Sequence, residues 1–288
     1  MVIIDFSTKE VSWMTNEIRI VYQDPDLDIE AYRFKGIMQK FPSHFHEYYV
    51  IGFIEKGQRH LVCQGVEYII NPGDILLFNP YDTHSCEQID GKTLDYRCLN
   101  VNKEVMKKVT VEIQGQEGLP YFRKNVLMHS EISANLRELH MKILQEDKEF
   151  KKEELFLYLI EELIQTNSNL TIQPTKIETS QEIQLVCDYL EENYSKTIKL
   201  EALSKLTGGS KYQLLRSFIK QKGITPYSYL ETIRINHAKN LLEDGIKPIE
   251  VSFLTGFSDQ SHLTKSFKRR IGLAPKQYMK SFESKGEF

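Results

Sequence analysis

Two stretches of this chain follow one design, and that duplication limits its fold more than any other feature. "LEALSKLTGGSKYQLLRSFIKQKG" begins at Leu200, and "PIEVSFLTGFSDQSHLTKSFKRRIG" begins at Pro248. Each reads as a short helix, a glycine turn (Gly208-Gly209 or Gly256), and a second helix capped by Ser210 or by Ser258/Asp259. Each second helix stops at a glycine, Gly223 or Gly272, where a left-handed residue ends the turn pattern. Each unit is a helix-turn-helix pattern, present twice.

Around these units the region 181–288 reads as all helix, with segments at 181–194, 199–207, 210–221, 226–244, 248–255, 259–270 and 275–282. The first hundred residues read as β. "YYVIGFI", "RHLVC", "VEYII" and "DILLF" are rich in β-branched and aromatic residues and alternate with Gly/Pro turn signals. Apolar residues return to helical spacing after Ser130, at Leu136, Leu139 and Ile143, then at Leu155, Leu159 and Leu163. The predicted fold is therefore α+β. A β-barrel spans 1–128, helices span 129–166, a polar linker spans 167–180, and a helical domain follows at 181–288.

Charge divides along the same line. Of 37 Lys+Arg and 40 Asp+Glu, residues 181–288 hold 17 and 12, so a basic helical part is joined to an acidic remainder. Lys205–Lys222 contains five Lys or Arg and Gln260–Lys280 contains six, with no carboxylate in either window. A carboxylate there would repel phosphate and offset the gain from counterion release. In the second helices Leu214 and Phe218, and Leu263 and Phe267, make core stripes. Lys211, Tyr212, Leu215 and Arg216 are left outward on one helix, and Gln260, Ser261, His262 and Lys265 on the other. Polar and basic residues near a helix N-terminus suit major-groove reading, and Lys268, Arg269 and Arg270 suit phosphate. The connecting helix 226–244 spans roughly 28 Å at ~1.5 Å per residue, near the ~34 Å between successive major grooves.

"GFSDQSHLTKSFKRRIGLAPKQY", with "LLRSFIKQKGITPYSYL" and "RINHAKNLL" before it, resembles the AraC/XylS family of bacterial transcription regulators over about 100 C-terminal residues. Ser204 and Ser252 stand where that family usually has Ala at the tight helix crossing, and Leu263 where an aromatic is common. By position, the family's base-contacting places fall on Tyr212, Leu215, Arg216, Gln260, Ser261, His262 and Lys265. The resemblance implies a cytoplasmic promoter-binding protein that acts as a dimer, with double-stranded DNA, a small-molecule effector and RNA polymerase as partners.

"FPSHFHEYYVIGFIEKG" places His44 and His46 on one strand face, and "NPGDILLFNPYDTHS" adds His84. These resemble the two motifs of the cupin barrel, the usual sensor domain of such regulators. Metal-binding cupins carry a Glu shortly after His-x-His, but Val50 and Ile51 occupy those positions here. His44, His46 and His84 remain candidate ligands for Zn or Fe. The preferred reading has no cofactor and makes His44, His46, Tyr48 and His84 the polar handles of an effector cavity. Arg33, Arg59 or Arg97 would pair with an anionic effector, while Phe34, Tyr49 and Phe53 fill core.

No run of 18 apolar residues predicts a membrane span, and Cys63, Cys86, Cys98 and Cys187 have no paired spacing, so reduced thiols are expected. Leu155, Leu159 and Leu163, beside Phe156 and Ile160, offer more apolar surface than a helix pair needs, which suggests a dimer seam. Two other functions fit the pattern less well. One is a metal-dependent cupin enzyme fused to a DNA-binding module, and the other is a DNA-binding protein that ignores ligands. The chain is expected not to be an enzyme.

Overall fold

A computed structural model of the chain describes residues 17–89, 91–146, 151–171 and 180–283. Its N-terminal part is built from β1 (Ile18–Asp24), β2 (Ile29–Ile37), β3 (Phe41–His44), β4 (Tyr49–Lys56), β5 (Arg59–Cys63), β6 (Val66–Ile70), β7 (Ile75–Phe78), β8 (His84–Gln88) and β9 (Leu94–Val101). There follow α1 (Lys103–Gln114), β10 (Leu119–Phe122), β11 (Val126–Leu127), α2 (Ile132–Leu144), α3 (Lys151–Asn167) and β12 (Ser168–Thr171). One sheet has the order β1-β2-β9-β4-β7-β11 and the other β3-β8-β5-β6. Strands of the two sheets do not pair among the described residues, so the predicted barrel is a cupin-like jelly roll of two facing sheets.

The period of two along each strand decides what lies on either side of the large sheet. On β4, Tyr49, Ile51 and Phe53 point to α1, α2 and α3 and share a core with Leu136, Leu159 and Leu163. Val50 and Ile54 point the other way, toward Leu61, Cys63 and Ile70 of the small sheet. Tyr49 and Phe53 are thus core residues as expected. Phe34, expected to be core only, also lines the cavity between the sheets.

Two expectations shift. The helix α1 lies beyond the first hundred residues read as β but inside the span 1–128 assigned to the barrel. Its β-branched Val105, Val109 and Val111 blur the helical pattern, although the Asn102 side chain caps it and Gly115 stops it. The linker prediction began at 167, but Ser168–Thr171 pairs antiparallel with β10; positions 172–179 lie outside the described residues.

The C-terminal part comprises α4 (Gln181–Glu192), α5 (Leu200–Thr207), α6 (Lys211–Lys222), α7 (Pro226–Glu243), α8 (Pro248–Leu254), α9 (Gln260–Ile271) and α10 (Pro275–Glu283). The seven helices match the seven predicted segments to within two residues. Ser210 and Gln213 form a capping box on α6, and the Asp259 carboxylate accepts from the His262 backbone N–H on α9. The Ser204 and Ser252 hydroxyls donate to the carbonyls of Glu201 (3.0 Å) and Ile249 (2.7 Å). A small polar side chain is therefore tolerated at each buried crossing. The α5/α6 unit packs with α4 and α7 in a core of its own. The α8/α9 unit instead shares one apolar core with the inner faces of the jelly roll.

Candidate functional site

The reading helices present their N-terminal turns outward. Lys211 and Arg216 on α6 are exposed and Leu215 is half-buried; the Tyr212 side chain lies outside the described residues. On α9, Gln260, Ser261, Lys265, Lys268 and Arg269 are exposed, and His262 is half-buried. Leu214, Phe218, Leu263 and Phe267 are buried as the stripes required.

Arg270 departs from its sequence assignment. Placed with Lys268 and Arg269 as a phosphate holder, it is only 4% exposed and its Nη2 donates to Glu231 Oε2 at 2.7 Å. Lys268 and Arg269 occupy the outward side of the last turn of α9, and the helical rotation then carries Arg270 and Ile271 inward. Burial works against the Glu231 charge, yet Arg270, Ser266 and Arg269 together hold its carboxyl below the ordinary range.

The C-terminal ends of both reading helices are held by the jelly roll. The Thr83 hydroxyl donates to the Lys222 carbonyl at the end of α6 (2.8 Å). At the end of α9, Gln39 donates to the carbonyls of Lys268 and Arg269 (3.0 Å each), and Arg19 donates to that of Gly272. Donors, and above all a cation, suit the negative end of a helix. Gly272 has φ +87°, and a Cβ there would lie 2.8 Å from the Phe34 ring, so glycine both stops α9 and admits the jelly roll. Deeper in this interface, Lys239 of α7 lies 2.9 Å from Glu30 of β2, and the Tyr278 hydroxyl of α10 lies between Glu30 and Glu243.

Between the sheets is a cavity of about 100 Å³. All four residues expected there line it: His44, His46, Tyr48 and His84. Within this group the three histidines converge, with candidate ligand atoms within 4.8 Å of one another. His44 Nδ1 lies 2.6 Å from the Pro42 carbonyl and His84 Nδ1 2.9 Å from that of Asp82, contacts that put the proton on Nδ1 and leave Nε2 as a lone pair. Burial pushes the His84 pKa down to about 4 and holds those of His44 and His46 well below the ordinary value. Three neutral imidazoles of this kind suit a divalent metal chemically, or act as acceptors for an organic ligand.

The arginines expected to pair with an anion lie elsewhere. Arg59 donates to the carbonyls of Gln58, Lys92 and Ile37, Arg97 pairs with Glu55 at 2.9 Å, and Arg33 does not line the cavity. The arginine on the cavity wall is Arg270, beside Ile271, both contributed by α9. No local signal in the sequence marks it for this role, because α9 is far in sequence from the strands that line the cavity.

The seam proposed on the 129–166 helices is also reassigned. Leu159 and Leu163 are fully buried, as are Phe156 and Ile160, because α3 packs on α2 and the outer face of the large sheet. Their apolar surplus is spent inside the chain.

Residues 26–160 match the model of an AraC-like ligand binding domain, and residues 203–281 match that of a helix-turn-helix domain. The chain is 63% identical over 250 residues to the HTH-type transcriptional regulator YbfI of Bacillus subtilis, covering 87% of this chain and 91% of that one. It is 24% identical over 246 residues to the HTH-type transcriptional activator RhaS of Escherichia coli, covering 82% and 86%. In three dimensions it is similar to apo ToxT of Vibrio cholerae, with a TM-score of 0.56 and 16% identity over 88% of this chain and 97% of that one. The relatives are regulators, so the enzyme reading falls away. With its duplicated helix-turn-helix units behind a ligand-binding jelly roll, the chain belongs to the AraC/XylS family of DNA-binding transcriptional regulators.

Proposed function

We propose that this regulator reads two neighbouring major grooves with α6 and α9 and changes its grip on DNA when a small molecule enters the jelly-roll cavity. The observation that carries the proposal is the α9 contribution to the cavity wall: Arg270 and Ile271 face the space between the sheets, while Gln260, Ser261 and Lys265 of the same helix face outward. A ligand that changes the packing around Ile271 acts on a reading helix with no intervening relay. His44, His46, Tyr48 and His84 are the polar contacts for that ligand. Lys211, Tyr212, Leu215, Arg216, Gln260, Ser261, His262 and Lys265 read bases, and Lys268 and Arg269 hold phosphate.

The protein acts in the cytoplasm with RNA polymerase as its partner. No helix among the described residues is long and apolar enough to cross a membrane. A homodimer is proposed from the family pattern. Its seam would be the outer face of α3, where Tyr158 is exposed, since the buried leucines are committed.

The test is enrichment of genomic DNA by the purified chain, followed by footprinting of wild type, Arg216→Ala and Lys265→Ala. Two-groove reading requires the two substitutions to relax base preference at positions about one helical turn apart, ~10 bp. Effects at the same base pairs, or equal losses on random DNA, would overturn it. Sedimentation at micromolar concentration, with and without that DNA, decides the dimer.

A further inference from the structure

Arg270 brings unsatisfied hydrogen-bond donors to the cavity wall. This side chain is buried, and Glu231 takes only its Nη2; Nε and Nη1 have no hydrogen-bond partner. Glu231 also accepts from Arg269 (3.2 and 3.3 Å) and from the Ser266 hydroxyl (2.6 Å), so one carboxylate faces two guanidinium groups. No Asp or Glu lines the cavity among the described residues. Glu30, a buried carboxylate of β2, is committed to Lys239, Asn100 and Tyr278. The neutral histidines accept hydrogen bonds but supply no negative charge. A buried cation with unpaired donors is costly unless an anion completes it.

Resting on the effector-cavity reading above, we infer that the effector is a small monocarboxylic acid with a compact apolar body, its carboxylate held by Arg270. The remaining wall limits the body: Phe34, Phe41, Val50, Ile54, Leu61 and Leu76 are apolar, and the polar side chains beside them include His44, His46, Tyr48, His84, Tyr96 and Asn100. A phosphate would bring about two charges to a cation that already has one carboxylate partner. The volume bounds size as well. An apolar cavity of about 150 Å³ accepts benzene, so about 100 Å³ favours a body smaller than a ring, such as a short branched chain. The Tyr32 hydroxyl, also buried without a partner on this wall, is a second polar contact for such an acid.

Arg270 thereby becomes a ligand-sensing residue inside a DNA-reading helix. It directly follows exposed Lys268 and Arg269, and the carbonyls of those two residues accept from Gln39 of the jelly roll. An acid on Arg270 adds a charged tie across the same junction.

The experiment uses the full chain, calorimetry, and three acids paired with their amides: benzoate and benzamide, cyclohexanecarboxylate and its amide, isovalerate and isovaleramide. At least one acid should bind about tenfold or more tightly than its amide, the scale of one charge-assisted contact. Arg270→Met should bring that acid down to its amide while amide binding is unchanged. Arg270→Lys, which keeps the charge, should retain part of the preference and serves if the methionine variant does not fold. The inference is overturned if every acid binds no better than its amide, or if the preference survives in Arg270→Met. If amides bind as well as acids and alter affinity for the enriched genomic DNA, the carboxylate is wrong and the effector reading stands. If no compound binds and DNA affinity is unmoved by all six, the carboxylate inference falls and the effector reading loses its support.

Discussion

The two helix-turn-helix units share a local design but differ in what they are attached to. In the first, Leu214 and Phe218 pack with Ile183, Val186 and Leu190 of α4, and the jelly roll contributes one plug, Phe45, which stacks near Tyr229 at 5.0 Å. In the second, Leu263 and Phe267 belong to the same core as Phe34, Val50 and Phe78 of the jelly roll, and the end of α9 reaches the cavity. The difference lies in helix ends and flanks, since both stripes have the same spacing. It ties the second unit to the cavity and leaves the first attached to the jelly roll at fewer points.

The largest expected effects come from cutting each attachment. Phe45→Ala removes the plug of the first unit and should cost about 3–5 kcal/mol in denaturant unfolding. Lys239→Met leaves Glu30 buried without its cation and should cost about 3–5 kcal/mol. The comparison predicts different local consequences. Hydrogen exchange should rise chiefly in α5 and α6 for Phe45→Ala, and in α9, α10 and β2 for Lys239→Met. Matching exchange patterns in the two variants would erase the distinction between the units.

A smaller effect separates α9 into its two roles. Lys265→Ala should weaken specific DNA binding by about 1–3 kcal/mol if it makes a good base contact. Arg270→Met, on an inward position, should leave the base preference of ligand-free protein unchanged. A shifted base preference in Arg270→Met would return that residue to the DNA surface.

Acid should act on the jelly roll rather than on either reading unit. Burial lowers the pKa of His84 and of His140, whose ring meets the Tyr32 carbonyl at 2.8 Å, to about 4. The unfolded chain binds these protons below about 6.5 while the folded chain refuses them until about 4, so stability falls as pH drops through that window. The loss should be on the order of 1 kcal/mol per group by about pH 6. His140→Gln should flatten part of the pH slope of the unfolding midpoint; an unchanged slope would mean that His140 protonates freely in the folded chain.

Much of this was legible in the linear chain. Caps at Ser210 and Asp259, stops at Gly223 and Gly272, and stripes at helical spacing are local signals, and each acts within one or two turns. The histidines of the cavity were legible too, although β3 ends at His44 and His46 reaches the cavity from the loop that follows and not through a strand period of two. The helix α1 was missed because three valines gave it the composition of a strand. The leucines of α3 were misread as a seam because periodicity shows that a face is apolar without showing what covers it.

What the sequence determined by itself is the pair of helix-turn-helix units, the mixed architecture and the exposed starts of α6 and α9, because short-range hydrogen bonding and periodic burial dictate them. Only the tertiary structure decided that Arg270, one of three consecutive basic residues, turns away from Lys268 and Arg269 into a cavity made by strands of the distant N-terminal part. Rotation about a helix places it inward, but whether an inward position meets protein core, partner or ligand space depends on long-range packing. No local pattern of charge or spacing encodes that packing.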